Sequence, residues 1–143
     1  MSLVIASCSE GVARSARALR EQTFRAAKDQ IACARQFTQD ALADHPAVDV
    51  AVLLVSELTT NSVLHSRSSD FTLEITRTED DDLHVIVFDS GRGGLPQLLD
   101  GGPADEGGRG VRLIDGLATR WGVMREREAG MAVWFDLLTS GNG

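Results

Sequence analysis

The sequence predicts an α+β domain, a two-layer sandwich in which a mixed, mostly antiparallel sheet carries its helices on one face. Three observations lead there. Two segments with helical periodicity follow one another at residues 29–42 and 48–65. A strand-like alternation over residues 71–76 and an apolar run over 83–88 flank Glu79-Asp-Asp-Asp82, the composition of a hairpin tip. Two more strand patterns, 121–127 and 131–138, flank Ala129-Gly130. Hairpins join antiparallel neighbours, and helices grouped apart from them cover such a sheet from one side.

Each element has its own warrant. Residues 1–19 are weakly patterned, readable as a short helix or a loose arm, and 21–26 read as a first strand. Within 29–42, Ile31, Ala34, Phe37, Ala41 and Leu42 fall near one helical face. His45-Pro46 ends that helix, because proline disfavours helical geometry in the residue before it. Residues 48–65 are the strongest helical signal, with Val48, Val52, Val55 and Leu58 along one stripe and a first half that is apolar nearly all round, which predicts burial. Phe71, Leu73 and Ile75 alternate with Thr72, Glu74 and Thr76, as in a strand with one wet face. Residues 91–110 are rich in glycine and proline, and a loop of that length in a compact domain is usually functional. Residues 110–118 read as a helix.

Composition narrows the class. A chain of 143 residues with 43% hydrophobic and 24% charged residues is one globular domain with a core that needs no staples. Cys8 and Cys33 have no metal-ligand spacing and read as reduced thiols of a cytoplasmic protein. No stretch approaches the ~18 apolar residues of a membrane span, and residues 1–10 lack the basic start of a secretory signal. A net charge of −7 argues against direct nucleic-acid partners, whose phosphates call for Lys and Arg. His45, His65 and His84 fall on different elements without metal spacing, so structural or surface roles are expected; Trp121 and Trp134 read as packing residues.

Three short stretches carry chemistry: Glu57-Leu-Thr-Thr-Asn61, Asp89-Ser-Gly91-Arg-Gly93 and Gly107-Gly-Arg-Gly110-Val111. Glu57 and Asn61 stand four residues apart, hence on one face of the helix. Alone, such a pair is more often a solvated strip; with two Gly-rich motifs downstream the balance turns. Asn61 can offer a neutral oxygen to Mg²⁺, which keeps few protein ligands, and Glu57, one turn away, can take a proton from an attacking hydroxyl. Asp89 closes an apolar strand and opens a turn through Gly91 and Gly93. There a carboxylate can accept from the exocyclic amine of adenine while the glycines pass close to a flat ring. A turn with no ligand reads equally well from that motif alone. Gly107, Gly108 and Gly110 lead into Val111, Leu113, Ile114 and Leu117, an entry that directs free N–H groups at phosphate. It lacks the Gly-Lys-Ser/Thr ending of a Walker A loop. Together the three describe a site for Mg-ATP, which an acidic protein can hold through a few amides and the metal ion.

These stretches resemble the N, G1 and G2 boxes of the GHKL ATPase superfamily, shared by histidine kinase catalytic domains, gyrase-type ATPases and MutL. Leu53-Leu-Val-Ser-Glu-Leu-Thr-Thr-Asn-Ser-Val-Leu-His65, the run from Gly107 to Gly122, and Val133-Trp-Phe-Asp-Leu137 are similar to bacterial anti-sigma factor serine/threonine kinases, the actinobacterial ones above all. The resemblance spans residues 24–138, leaving 1–23 as an extension of uncertain structure and 139–143 as a loose tail. It implies the GHKL fold, with ATP between helix and lid and Mg²⁺ on Asn61. It also implies Glu57 as catalytic base, Asp89 as the adenine-binding aspartate, Gly91 and Gly93 beside it, and Gly108, Arg109, Gly110 and Val111 as the phosphate loop. For Arg109 a solvated role competes with a phosphate contact. Members bind a sigma factor and phosphorylate a small antagonist protein. One departure stands out: relatives often carry a threonine in the last strand that helps hold adenine, and the corresponding position reads as Ala132, expected beside Asp89.

The expected function is therefore a Mg-ATP-dependent protein serine/threonine kinase acting as an anti-sigma factor, with a sigma factor and an antagonist protein as partners and a homodimer left open. The alternative is a nucleotide-gated binding module with little transfer activity. Glu57 with Asn61 favours the enzyme; Ala132 favours the module. A histidine kinase fragment is the weaker third reading, since no phospho-accepting helical hairpin precedes the site.

Overall fold

The computed structural model describes residues 16–65, 68–89, 113–126 and 130–139. They form strand β1 (Ala16–Arg25), helices α1 (Lys28–Ala41) and α2 (Val48–His65), then β2 (Asp70–Thr78), β3 (Leu83–Asp89), β4 (Arg120–Glu126) and β5 (Gly130–Leu137). Residues 113–117 are helical ahead of β4. The strands lie in the order β1-β2-β3-β5-β4 and every described pairing is antiparallel, so the sheet expected as mixed is antiparallel throughout its described part.

The first strand is longer than its sequence announces. It starts at Ala16 rather than at residue 21 and pairs with β2 as far as Arg25, so residues 16–23, read as part of an extension, form the sheet's edge. The reason is compositional. Arg20, Glu21, Gln22 and Thr23 are all exposed, as an edge strand allows, and among residues 19–25 only Phe24 is buried, so no alternation marks that stretch.

The core lies between the helices and one sheet face. Phe24, Phe71, Leu73, Ile75, Val85, Val87 and Phe135 meet Ala34 and Leu42 of the α1 side and Ala51, Leu54, Val55 and Leu58 of α2. Phe24 stacks on Phe71 with centroids 5.3 Å apart and meets Phe37 edge-on at 5.9 Å, tying β1, β2 and α1 together. The buried stripe of α2 runs through Ala51, Val55, Leu58 and Ser62, rotated from the expected Val48–Val52 line, and Leu53 stays 40% exposed. A helix half that is apolar all round carries no periodic cue to its inner side.

The turn after α1 is built on His45, which is buried. Its Nδ1 accepts from the Ala47 amide at 2.9 Å, so Nε2 carries the proton it donates to the Asp81 carbonyl at 2.7 Å. This links the start of α2 to the β2–β3 hairpin, where Thr78 Oγ1 accepts from the amides of Asp80 and Asp82 at 3.2 and 3.1 Å.

The opposite sheet face reads in cross-strand rows. One row is Thr23-Thr72-Phe88-Ala132-Met124, the next Glu21-Glu74-Ile86-Trp134-Gly122, and the third Leu19-Thr76-His84-Asp136-Arg120. In the third, buried Asp136 holds His84 Nδ1 with one carboxylate oxygen and Arg120 with the other at 2.8 Å. Trp121 and Trp134 both pack within the sheet, on opposite faces: Trp121 against the helix-side core, Trp134 across Gly122.

The rows correct one expectation. Ala132 pairs with Phe88 and lies on the outer face, 3% exposed, whereas Met131 is the partner of Asp89. Side chains alternate with period two, so an alignment one residue off moves a group through the sheet. The residue beside Asp89 on the helix side is Met131, which also lacks a hydroxyl.

Candidate functional site

The second half of α2 is a polar run on a helix whose inner stripe is anchored in the core. Its hydroxyls are largely spent on the helix itself: Thr59 Oγ1 donates to the Val55 carbonyl at 2.8 Å and Thr60 Oγ1 to that of Ser56 at 2.6 Å. Glu57 and Asn61 remain, one turn apart and half-buried, on the flank of the core stripe. Asn61 Nδ2 donates to the Glu57 carbonyl at 3.2 Å. That bond commits the nitrogen end of the amide to the helix, so the oxygen is the end offered to a ligand. A neutral oxygen of this kind suits Mg²⁺ that keeps waters and phosphate oxygens. Among the described residues no group of three or more His, Cys, Asp or Glu could hold a metal ion by itself.

Asp89 ends β3 at the α2 side of the sheet. Ser62 Oγ donates to its Oδ2 at 3.2 Å, joining the helix that bears Glu57 and Asn61 to the strand that bears Asp89. Two of the three predicted stretches thus meet in one place. Ser62 is not among the residues the sequence singles out, although a signal exists: it is the polar member of the otherwise apolar stripe Ala51-Val55-Leu58-Ser62. Gly91, Gly93, Gly108, Arg109, Gly110 and Val111 lie outside the described residues. Just beyond them Ile114 is fully buried in the core cluster.

A separate pocket of about 310 Å³, between the end of α1 and β1–β2, is lined by Arg20, Leu42, Asp44, Ile75 and Arg77 among others. It lies toward the β2–β3 hairpin, at the other end of the sheet from Asp89. Arg77 there is already paired with Asp44 and Asp81, each at 2.9 Å.

The family model of the histidine kinase-like ATPase domain matches residues 24–137. The chain belongs to that family. A histidine kinase-like ATPase domain has ATP as its ligand. The fold is similar to the crystal structure of the RsbU and RsbW domains of Rv1364c from Mycobacterium tuberculosis, with a TM-score of 0.65 at 17% identity, over 85% of this chain and 32% of that one. It is also similar to the blue-light activated histidine kinase EL346 of Erythrobacter litoralis. One structure of its kinase domain gives a TM-score of 0.52 at 30% identity, over 66% of this chain and 45% of that one. Another structure of EL346 gives 0.54 at 33%, over 68% and 32%. The ATPase domain therefore spans a third to under half of these structures. No curated protein matches it. Among the described residues no helix is long and apolar enough to cross a membrane.

Proposed function

We propose that this ATPase domain is a Mg-ATP-dependent protein serine/threonine kinase that acts as an anti-sigma factor, and that its acceptor is a small antagonist protein. The observation that carries the reading is the joining of Glu57, Asn61 and Asp89 through α2 and Ser62. The likeness of the fold to a structure that includes an RsbW domain supports it.

In this reading Asp89 accepts from the exocyclic amine of adenine, and Gly91 and Gly93 let the backbone pass close to the ring. The amides of Gly108, Arg109, Gly110 and Val111 hold the phosphates. Asn61 offers its oxygen to Mg²⁺, which supplies charge neutralisation at the phosphates when bound. Glu57 takes the proton of the acceptor's serine or threonine hydroxyl as that oxygen bonds to the γ-phosphorus. The bond from the γ-phosphorus to the bridging oxygen breaks, and ADP leaves with the electron pair. The sigma factor is the second partner, and a homodimer is left open.

The nucleotide-gated module is the second reading, favoured by Met131, which brings no hydroxyl to Asp89's side. Labelling an extract of the source organism with [γ-³²P]ATP and the purified domain separates the two. The kinase labels a discrete protein, and Glu57→Gln lowers that labelling about 10²–10⁴-fold while nucleotide binding persists. ATP binding without any labelled protein favours the module. Equal labelling by Glu57→Gln and wild type removes Glu57 from the base's role.

A further inference from the structure

We infer that Ser62 is the positioning residue for purine selection: its hydroxyl sets the carboxylate of Asp89 so that the domain prefers adenine to guanine. The inference rests on Asp89 reading the base, as proposed above, and goes beyond it to a residue that no motif of the sequence singled out.

Three observations carry it. The Ser62 hydroxyl donates to Asp89 Oδ2 at 3.2 Å. Ser62 is only 8% exposed and belongs to the core-facing stripe of α2, so its donor is held by the packing of the helix. The cross-strand neighbours of Asp89 on this face are Phe71 and Met131, both apolar and buried, so the helix side supplies the polar contact seen in Ser62. Rotation about the terminal bond of an aspartate is broad. A donor on one oxygen narrows that rotation and fixes where the carboxylate's acceptor oxygens point. Such a group welcomes the amine of adenine. Guanine presents a carbonyl at the same position, which a fixed carboxylate repels. Ser62 touches the reader rather than the base, so its effect is on selectivity.

Calorimetric titration with ADP and GDP, which are not consumed, tests this on the full chain. Ser62→Ala is expected to weaken ADP about three- to tenfold and GDP less than twofold, narrowing the preference. Ser62→Thr, which keeps the hydroxyl, is expected to hold the preference within about twofold of wild type. In an Asp89→Asn background, Ser62→Ala is expected to change ADP affinity less than about twofold, because its partner's role is already gone. Unfolding midpoints are recorded for every variant, and Ser62→Cys, a weaker donor of similar size, replaces Ser62→Ala if that variant does not fold. Equal losses for ADP and GDP in Ser62→Ala, or losses that add to those of Asp89→Asn, overturn the inference while leaving Asp89 as reader. Asp89→Asn weakening both nucleotides alike overturns the reader assignment, and this inference with it.

Discussion

Trp134 of β5 lies across Gly122 of β4 so closely that a Cβ at position 122 would stand 2.9 Å from its Cζ2 and Nε1 atoms. The indole fills space that only glycine leaves open on the neighbouring strand, and this is how the outer face closes over its middle row. Gly122→Ala should therefore lower stability by about 1–3 kcal/mol, the usual cost of overpacking, read from the urea midpoint. Combining it with Trp134→Leu should shrink that cost, since alanine otherwise suits a strand better than glycine. Additive losses would show that the indole is not what confines position 122.

Glu74 faces Glu21 across β1–β2 on the same face. Burial first, and the Glu21 charge second, hold its carboxyl above the ordinary glutamate value of 4.5, against a smaller opposing effect of His84. A raised folded-state pKa means that the folded protein binds this proton more tightly than the unfolded chain. The contribution is fully present below pH 4.5 and is lost as pH rises through the folded value. Glu74→Gln should thus stabilise the protein at pH 7 to 8, with the gain fading as pH falls toward 4. Denaturant titrations across that range check it; a gain that grows on acidification would contradict the assignment.

Asp81 holds a left-handed backbone, φ 67°, at the hairpin tip, where its carbonyl accepts from His45. That conformation costs an ordinary L-residue about 1–2 kcal/mol. Asp81→Ala should destabilise by roughly that amount, and Asp81→Gly and Asp81→Asn by less, because both residues adopt it readily. The part-buried ion pair with Arg77 is lost in all three variants and so does not separate them. Thermal midpoints that fall equally for all three variants would place the effect in the side chain instead.

Met131, not Ala132, shares the face of Asp89. Met131→Thr should alter ADP affinity by about three- to tenfold, through a hydroxyl placed beside the carboxylate, while Ala132→Thr leaves it within twofold. Titration of the two single variants decides the matter. An effect confined to Ala132→Thr would mean that the register of β5 differs in solution.

The helices and four of the five strands were legible because their residues obey the period of their element: Leu73 and Ile75 alternate with Glu74 and Thr76, and residues 48–65 are too apolar and too long to be anything but a helix. The pairing of Glu57 with Asn61 was legible for the same reason, four residues being close to one helical turn. β1 was half legible, since an edge strand needs no apolar alternation. Ser62 is not legible from its motif because it lies on another side of the helix from Asn61, and only the fold brings that side to Asp89.

The local chemistry was thus determined by the sequence alone: a carboxylate and a carboxamide on one helical face, an aspartate at a strand end, glycine-rich stretches to follow, and the family to which these belong. What only the tertiary structure decided were relations between residues distant along the chain. Ser62 meets Asp89 twenty-seven residues away, and Asp89 faces Met131 rather than Ala132. Periodicity reports which side of an element is apolar, but it carries no information on how one element slides or turns against the next. Strand register and the rotation of α2 about its axis are set by packing over the whole core, and those two quantities select which groups meet at the site.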